Sequence, residues 1–159
     1  MPGLKIQNIF GKKLKDIYKY DAYVSHGTSE RDRTFARMLA KTLEQAPYNF
    51  RLFLPDDEII DKTNVKVISD TIKNRCKRLL LVMSEDYAAD RMSDFTVQVA
   101  MTKANYRKDR IIIPLVIDRN CELPPVISHL TSADFTMRES AAWILPRVES
   151  ALKAPVSNT

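Results

Sequence analysis

The sequence predicts a parallel α/β domain in which five strands alternate with helices. Three observations predict it. Short apolar runs recur at residues 22–24, 79–83 and 111–116. Segments with apolar residues at helical spacing separate them. The run 79–83, Leu-Leu-Leu-Val-Met, has no polar member, the mark of a strand buried on both faces of a parallel sheet.

The elements follow in order. Strand one covers residues 21–25 of Tyr20-Asp21-Ala22-Tyr23-Val24-Ser25-His26, and exits through Ser25, His26 and Gly27. That polar exit lies at the carboxyl end of the strand, where open α/β sheets place their sites. Thr28 or Ser29 caps the first helix, with Phe35, Met38, Leu39, Thr42 and Leu43 on one face. Pro47 ends it. Strand two covers 50–54, and Pro55 opens a polar loop. The second helix carries Val65, Ile68, Ile72 and Cys76, and strand three covers 79–83. Ser93 is placed to cap a third helix with Val97, Ala100, Met101 and Ala104 as its apolar positions. Strand four covers 111–116. Its Pro114 lacks a ladder donor and so calls for a short paired stretch or an edge. Pro124-Pro125 falls in a loop, 133–135 is a last strand, and 140–152 a last helix around Trp143, Ile144 and Val148. Right-handed crossovers with helices on both faces are the economical arrangement. The element count fits a flavodoxin-like sheet of order 2-1-3-4-5.

The length of 159 residues is that of one domain. Its 45% hydrophobic content supplies a core, and 28% charged residues suit a soluble surface. No apolar run approaches the roughly 20 residues of a membrane helix. The opening Met-Pro-Gly-Leu-Lys-Ile-Gln has no long apolar segment, and Pro2 stands where N-myristoylation needs glycine. The expectation is a cytoplasmic chain, or a cytoplasmic piece of a larger one. Residues 1–19 form a lead-in, 20–152 the domain and 153–159 a tail. In the lead-in, Lys12, Lys13, Lys15 and Lys19 intersperse with Leu14, Ile17 and Tyr18. This reads as a basic amphipathic helix able to meet anionic lipid, or as a solvated linker. Cys76 and Cys121 are far apart and are read as reduced thiols. The net charge of +5 permits acidic proteins, anionic lipid or nucleic acid as partners and selects none.

Several chemistries find no support. Of three glycines only Gly27 follows a strand, and neither a G-x-G-x-x-G nor a Walker loop occurs. His26 and His129 lie in separate loops without a Cys or Glu at ligand spacing. Ser25 and His26 are adjacent at a strand end and point apart, which disfavours a nucleophilic dyad. No cofactor, metal or catalytic residue is therefore expected. Nucleic-acid binding lacks an aromatic-basic platform, because the aromatics fall mainly in core positions.

Two surfaces remain. The first is the loop Pro55-Asp56-Asp57-Glu58-Ile59-Ile60-Asp61-Lys62. Exposed, Ile59 and Ile60 make an apolar anchor ringed by charge, the composition of a protein-binding loop. Alternatively they begin the second helix and point inward. The second surface is basic: Arg75, Lys77 and Arg78 precede strand three, and Arg107, Lys108 and Arg110 precede strand four. These are solvated turns, or a positive face for an acidic partner or anionic lipid.

Together these segments resemble the Toll/interleukin-receptor (TIR) domain family over residues 20–152. Tyr20-Asp21-Ala22-Tyr23-Val24-Ser25 is similar to its first motif, Tyr/Phe-Asp-Ala-Phe-x-Ser. Arg75-Cys76-Lys77-Arg78, the apolar run and Ser84-Glu85-Asp86-Tyr87 resemble its third strand and Ser-x-x-Tyr/Phe exit. Trp143 falls on its last motif, Phe-Trp, with Ala142 in place of the phenylalanine. The chain departs at the second motif, Arg-Asp-x-x-Pro-Gly. Asp56-Asp57 falls on Arg-Asp and Ile60-Asp61 on Pro-Gly, so the loop should differ in shape and charge.

The resemblance implies a cytoplasmic signalling domain that binds TIR domains of receptors or adaptors in innate immunity. It also implies self-assembly into oligomers or a filament. Some members cleave NAD with a third-helix glutamate. Asp94-Phe95-Thr96-Val97-Gln98-Val99 resembles that region, and Val99 takes the glutamate's place, where it cannot serve as an acid or base. The expectation is a non-enzymatic domain. Arg75–Arg78 and Ser84–Tyr87 resemble the adaptor branch, in which a death domain precedes the TIR domain. The alternatives are a receptor tail, or an NAD hydrolase with Glu85 or Asp94 as its acid.

Overall fold

The computed structural model describes residues 18–58, 61–103, 108–137 and 141–156; the side chains of residues 108 and 141 are not among those described. The lysines of the lead-in other than Lys19, together with Ile59, Ile60, Ala104 and Arg107, lie outside the described residues. So do residues 157–159.

The strands are β1 (Tyr20–Ser25), β2 (Leu52–Phe53), β3 (Cys76–Met83), β4 (Ile112–Val116) and β5 (Ala133–Asp134). They form one sheet in the order β2-β1-β3-β4-β5, and every pairing is parallel. The helices are α1 (Glu30–Glu44), α2 (Val65–Asp70), α3 (Glu85–Ala88), α4 (Arg91–Met101), α5 (Lys108–Ile111) and α6 (Ala141–Lys153). The flavodoxin-like order expected from the sequence is the one observed.

Central β3 shows why its sequence is continuously apolar. Leu80 and Val82 join a cluster with Ala36, Leu39 and Leu43 of α1 and Ile144, Val148 and Leu152 of α6. Leu79, Leu81 and Met83 join a second cluster with Ile72, Tyr87, Val97 and Ala100. Successive side chains alternate between the faces, so both must be apolar when helices cover both. β4 pairs with β3 over Ile112–Val116 but meets β5 only at Leu115 and Val116. Pro114 thus stands where the β5 side is unpaired, as a strand proline requires.

The helices depart from expectation in instructive ways. Ser29 caps α1 by accepting from the Asp32 amide. The inward face of α1 is Asp32, Ala36, Leu39, Ala40 and Leu43, and Met38 is turned out to solvent. Asp90, not Ser93, caps α4; the Ser93 hydroxyl donates to the Asp90 carbonyl at 2.8 Å. After α2 the chain makes a π turn over Thr71–Arg75, closed by the Cys76 amide on the Thr71 carbonyl. Cys76 therefore opens β3, paired with Tyr20, and does not extend the second helix. Burial pushes its thiol up to about 12. The carbonyls freed at this turn are met by buried Lys103, which donates to Lys73 O at 2.8 Å and Cys76 O at 2.7 Å. Trp143 is 76% exposed, so the core side of α6 is Ile144, Val148 and Leu152 at four-residue spacing.

Candidate functional site

At the carboxyl edge of the sheet, the polar exit of β1 is locked into the fold. Ser25 Oγ bonds the Tyr87 hydroxyl and lies 3.1 Å from Thr96 Oγ1. Burial pushes the Tyr87 hydroxyl up to about 12, although its bonds to Ser25 and Thr96 oppose the shift. His26 Nδ1 donates to the Gly27 carbonyl at 2.7 Å, so Ser25 and His26 serve different partners. Asp32 is fully buried. The Ser84 hydroxyl donates to its Oδ2 at 2.6 Å, and the same Ser84 oxygen accepts from the Tyr87 amide and caps α3. Asp118 takes the Arg31 guanidinium at 2.6 Å and the Glu85 amide at 2.7 Å. Among the described residues, no group of three or more His, Cys, Asp or Glu side chains is placed to hold a metal ion.

The acidic loop leaves β2 through a 3₁₀ turn, Pro55–Asp57. Asp56 is drawn inward between two cations, Lys62 Nζ at 2.8 Å and Arg33 Nε at 3.4 Å. Partial burial works to raise its pKa. The Lys62 hydrogen bond and the charges of His26, Lys62 and Arg33 outweigh that, and the carboxyl titrates below its ordinary range. Asp61 accepts from the amide and hydroxyl of Thr63, bonds that pull its own pKa down. Asp57 is exposed and Glu58 half-buried. A third acid, Glu44 at the end of α1, joins them: burial first, then the charges of Asp57 and Glu58, raise its pKa. The surface is thus a corner of Glu44, Asp57 and Glu58, with Asp56 and Lys62 spent on each other. Sequence reading missed Glu44 because it lies in another element. Its one signal is the position of α1's last turn, beside the edge of the sheet that β2 occupies.

The basic face divides. Arg78 is fully buried, and it is not a surface cation as its run suggests. It shares the parity of Leu80 and Val82 along β3, so it points beneath α6. There it donates to the Arg110 carbonyl at 2.9 Å and to the Ala154 carbonyl. Burial, then the Arg110 charge, push its pKa down to about 10. Arg75 is half-buried over the rings of Tyr20 and Phe53, at 5.6 and 5.9 Å. Lys77 is half-buried too. Arg110 donates to Pro155 O at 2.9 Å and lines a cleft of about 480 Å³ together with Arg147 and His129. Arg147, on α6, is a cation that the sequence reading did not single out. Neither Arg110 nor Arg147 forms an ion pair with a carboxylate among the described residues.

Val99, Glu85 and Asp94 also separate. Val99 is 7% exposed and packed in the second apolar cluster. Glu85 and Asp94 are exposed and line one cleft of about 450 Å³ with Asn120, Cys121 and Pro124.

A five-stranded parallel sheet of this order, with α1 and α6 on one face and α4 on the other, defines a doubly wound α/β domain. A family model described as TIR domain matches residues 23–144, more than half of the chain. The chain belongs to the TIR-domain family. Among solved structures it is similar to the TIR domain of the Toll-related receptor TRR-2 from Hydra magnipapillata. The TM-score is 0.67 at 23% identity, covering 85% of this chain and 99% of that one. It is also similar to a metazoan TIR-STING receptor from C. gigas, solved in complex with 2',3'-cGAMP. There the TM-score is 0.64 at 19% identity, covering 87% of this chain and 40% of that one. The same receptor in a second structure gives a TM-score of 0.64 at 20% identity, covering 89% and 42%. This chain therefore spans less than half the length of that receptor. Among the described residues, no helix is long and apolar enough to cross a membrane.

Proposed function

We propose that this domain signals by assembly: it binds TIR domains of receptors and further copies of itself in the cytoplasm. One observation carries the reading. Two surfaces of opposite charge lie at opposite edges of one sheet. The acidic corner Glu44, Asp57 and Glu58 follows β2, and the cleft of Arg110 and Arg147 lies beside β4 and α6. Contacts between unlike surfaces run head to tail, and where the rotation between copies does not close a ring they propagate into a filament. Charge complementarity steers encounter and selects register. Weak single contacts suffice, because multivalency raises the effective affinity.

Within the family we assign the chain to the adaptors, the group of the myeloid-differentiation primary-response adaptor of Toll receptors, on the motif resemblance of Arg75–Arg78 and Ser84–Tyr87. In this reading residues 1–19 are the end of a linker from a death domain. The coding sequence upstream decides it: a death domain supports the adaptor, and a membrane helix makes the chain a receptor tail. Exchange of Asp57 and Glu58 for lysine should abolish assembly with folding intact. Unchanged assembly by light scattering would remove the loop from the account.

The non-enzymatic part of this reading rests on the burial of Val99. A second reading, NAD hydrolysis, keeps one supporting observation, the shared cleft of Glu85 and Asp94. Incubating the purified protein with NAD separates the two, since only the hydrolase releases nicotinamide.

A further inference from the structure

The cleft between α6, the start of β4 and the loop before β5 has a chemistry of its own. Its floor is apolar: Ile112, Ile113 and Val148 are each less than a tenth exposed, and Ala151 lies beside them. Arg110, Arg147, His129, Thr131 and Ser132 line the cleft as well, and each of them is exposed or half-buried. Asp109 is the one carboxylate on the lining. The volume of about 480 Å³ falls within the roughly 300–1,000 Å³ of small-molecule clefts. An apolar floor with a few convergent polar groups is the composition of a ligand site.

The positive charge here is held in place. Arg78, buried behind the cleft, donates to the Arg110 carbonyl and fixes that segment of backbone. Arg110 is tethered in turn to Pro155 O at 2.9 Å. Arg78 has no carboxylate among its hydrogen-bond partners, so its charge adds to the potential at this end of the sheet. A guanidinium fork suits planar or tetrahedral oxyanions. No Phe, Tyr or Trp lines the cleft, so a nucleobase finds no aromatic ring to stack on.

We propose that this cleft binds a small amphiphilic anion, an oxyanion head on a compact apolar body, with Arg110 and Arg147 holding the head and Val148 and Ala151 the body. The site does not rest on the assembly reading. Where a second copy also uses Arg110 and Arg147, the anion and that copy exclude each other.

The test is a titration of the full chain, at micromolar concentration, with 8-anilinonaphthalene-1-sulfonate, followed by fluorescence and by amide chemical shifts. N-phenyl-1-naphthylamine, uncharged and of similar body, is the control probe. The expected result is saturable binding with shifts confined to residues 129–133 and 147–151. Arg147→Glu should weaken it by roughly tenfold or more, as loss of a charge-assisted contact does. Ala151→Phe should block the cleft, while Arg37→Glu, on exposed α1 surface, should change nothing. Thermal melts confirm that each variant is folded. Absence of saturable binding, shifts elsewhere, equal binding of the neutral probe, or indifference to Arg147→Glu each overturns the proposal. A chain that assembles but binds no anion sinks this inference alone, and one that binds but does not assemble sinks the other.

Discussion

Adding one methyl group at Gly27 should destabilise the domain far more than a loop substitution ordinarily does. A Cβ at Gly27 would lie 2.2 Å from Asp32 Oδ2, 3.3 Å from its Cγ and 3.2 Å from Tyr87 Cβ. No described glycine has a positive φ, so the requirement is for space rather than backbone freedom. Contact distances near 3.5 Å mean the carboxylate must retreat by about 1 Å. Asp32 sits fully buried in the first turn of α1, and retreat breaks its 2.6 Å bond from Ser84. Losing a hydrogen bond to a charged group costs about 1.5–3 kcal/mol. Overpacking adds about 1–3 kcal/mol. The sum is roughly 2.5–6 kcal/mol, or a fall in Tm of roughly 5–20 °C for a domain of this size. The assay is thermal and urea unfolding of Gly27→Ala, Asp32→Ala and the double variant. Because both single changes disrupt one contact, their costs should not add. A Gly27→Ala melt within about 2 °C of the parent, or strict additivity in the double variant, would refute the reasoning.

Other expectations follow from the same geometry. Arg78→Ala leaves the Arg110 and Ala154 carbonyls without their donor and a void beneath α6. It should cost about 3–5 kcal/mol by urea unfolding, whereas a surface arginine would cost under about 0.5 kcal/mol. Asp56 titrates lower folded than unfolded, where its pKa is about 3.9. The stability it contributes is therefore present above about pH 4 and lost as pH falls through the folded value. Asp56→Asn should flatten that part of the acid-unfolding curve. At neutral pH it should cost only about 0–1 kcal/mol, because the side chains of Arg33 and Lys62 are 45% and 48% exposed and solvent screens the pair. Val99→Glu places a carboxylate inside an apolar cluster. It should destabilise by about 3 kcal/mol or more and release no nicotinamide from NAD, a result that chromatography of the reaction reads directly.

The fold was legible because its central strands obey one rule each. The unbroken apolar run of β3 and the small, apolar centre of β1 leave no arrangement other than burial between two helical layers. The ends of elements were less legible, because competing groups decide them. Asp90 and Ser93 are both able to cap α4, and the structure resolves the choice with Ser93 bonding back to Asp90. The π turn that carries Cys76 from helix into strand depends on Lys103, far along the chain, taking up the carbonyls. The candidate site was half visible. The acidic loop is local in sequence and was found, but its third acid, Glu44, comes from α1. Arg78 was assigned to the surface as a member of a basic run. Its parity with Leu80 and Val82 carried the contrary signal, since residues two apart on a strand share a face. Arg147 is separated from Arg110 by 37 positions in the sequence, and only the packing of α6 against β4 brings them to one cleft.

The central claim is that an acidic corner of one copy meets the basic cleft of the next. The most direct measurement is a charge-reversal exchange followed by light scattering and electron microscopy. Asp57→Lys with Glu58→Lys, and separately Arg110→Glu with Arg147→Glu, should each remain folded and unassembled. Mixed together, the two variants should assemble again in alternation, because the intact cleft of the first meets the intact corner of the second and the reversed corner meets the reversed cleft. Filaments from either variant alone would contradict the account.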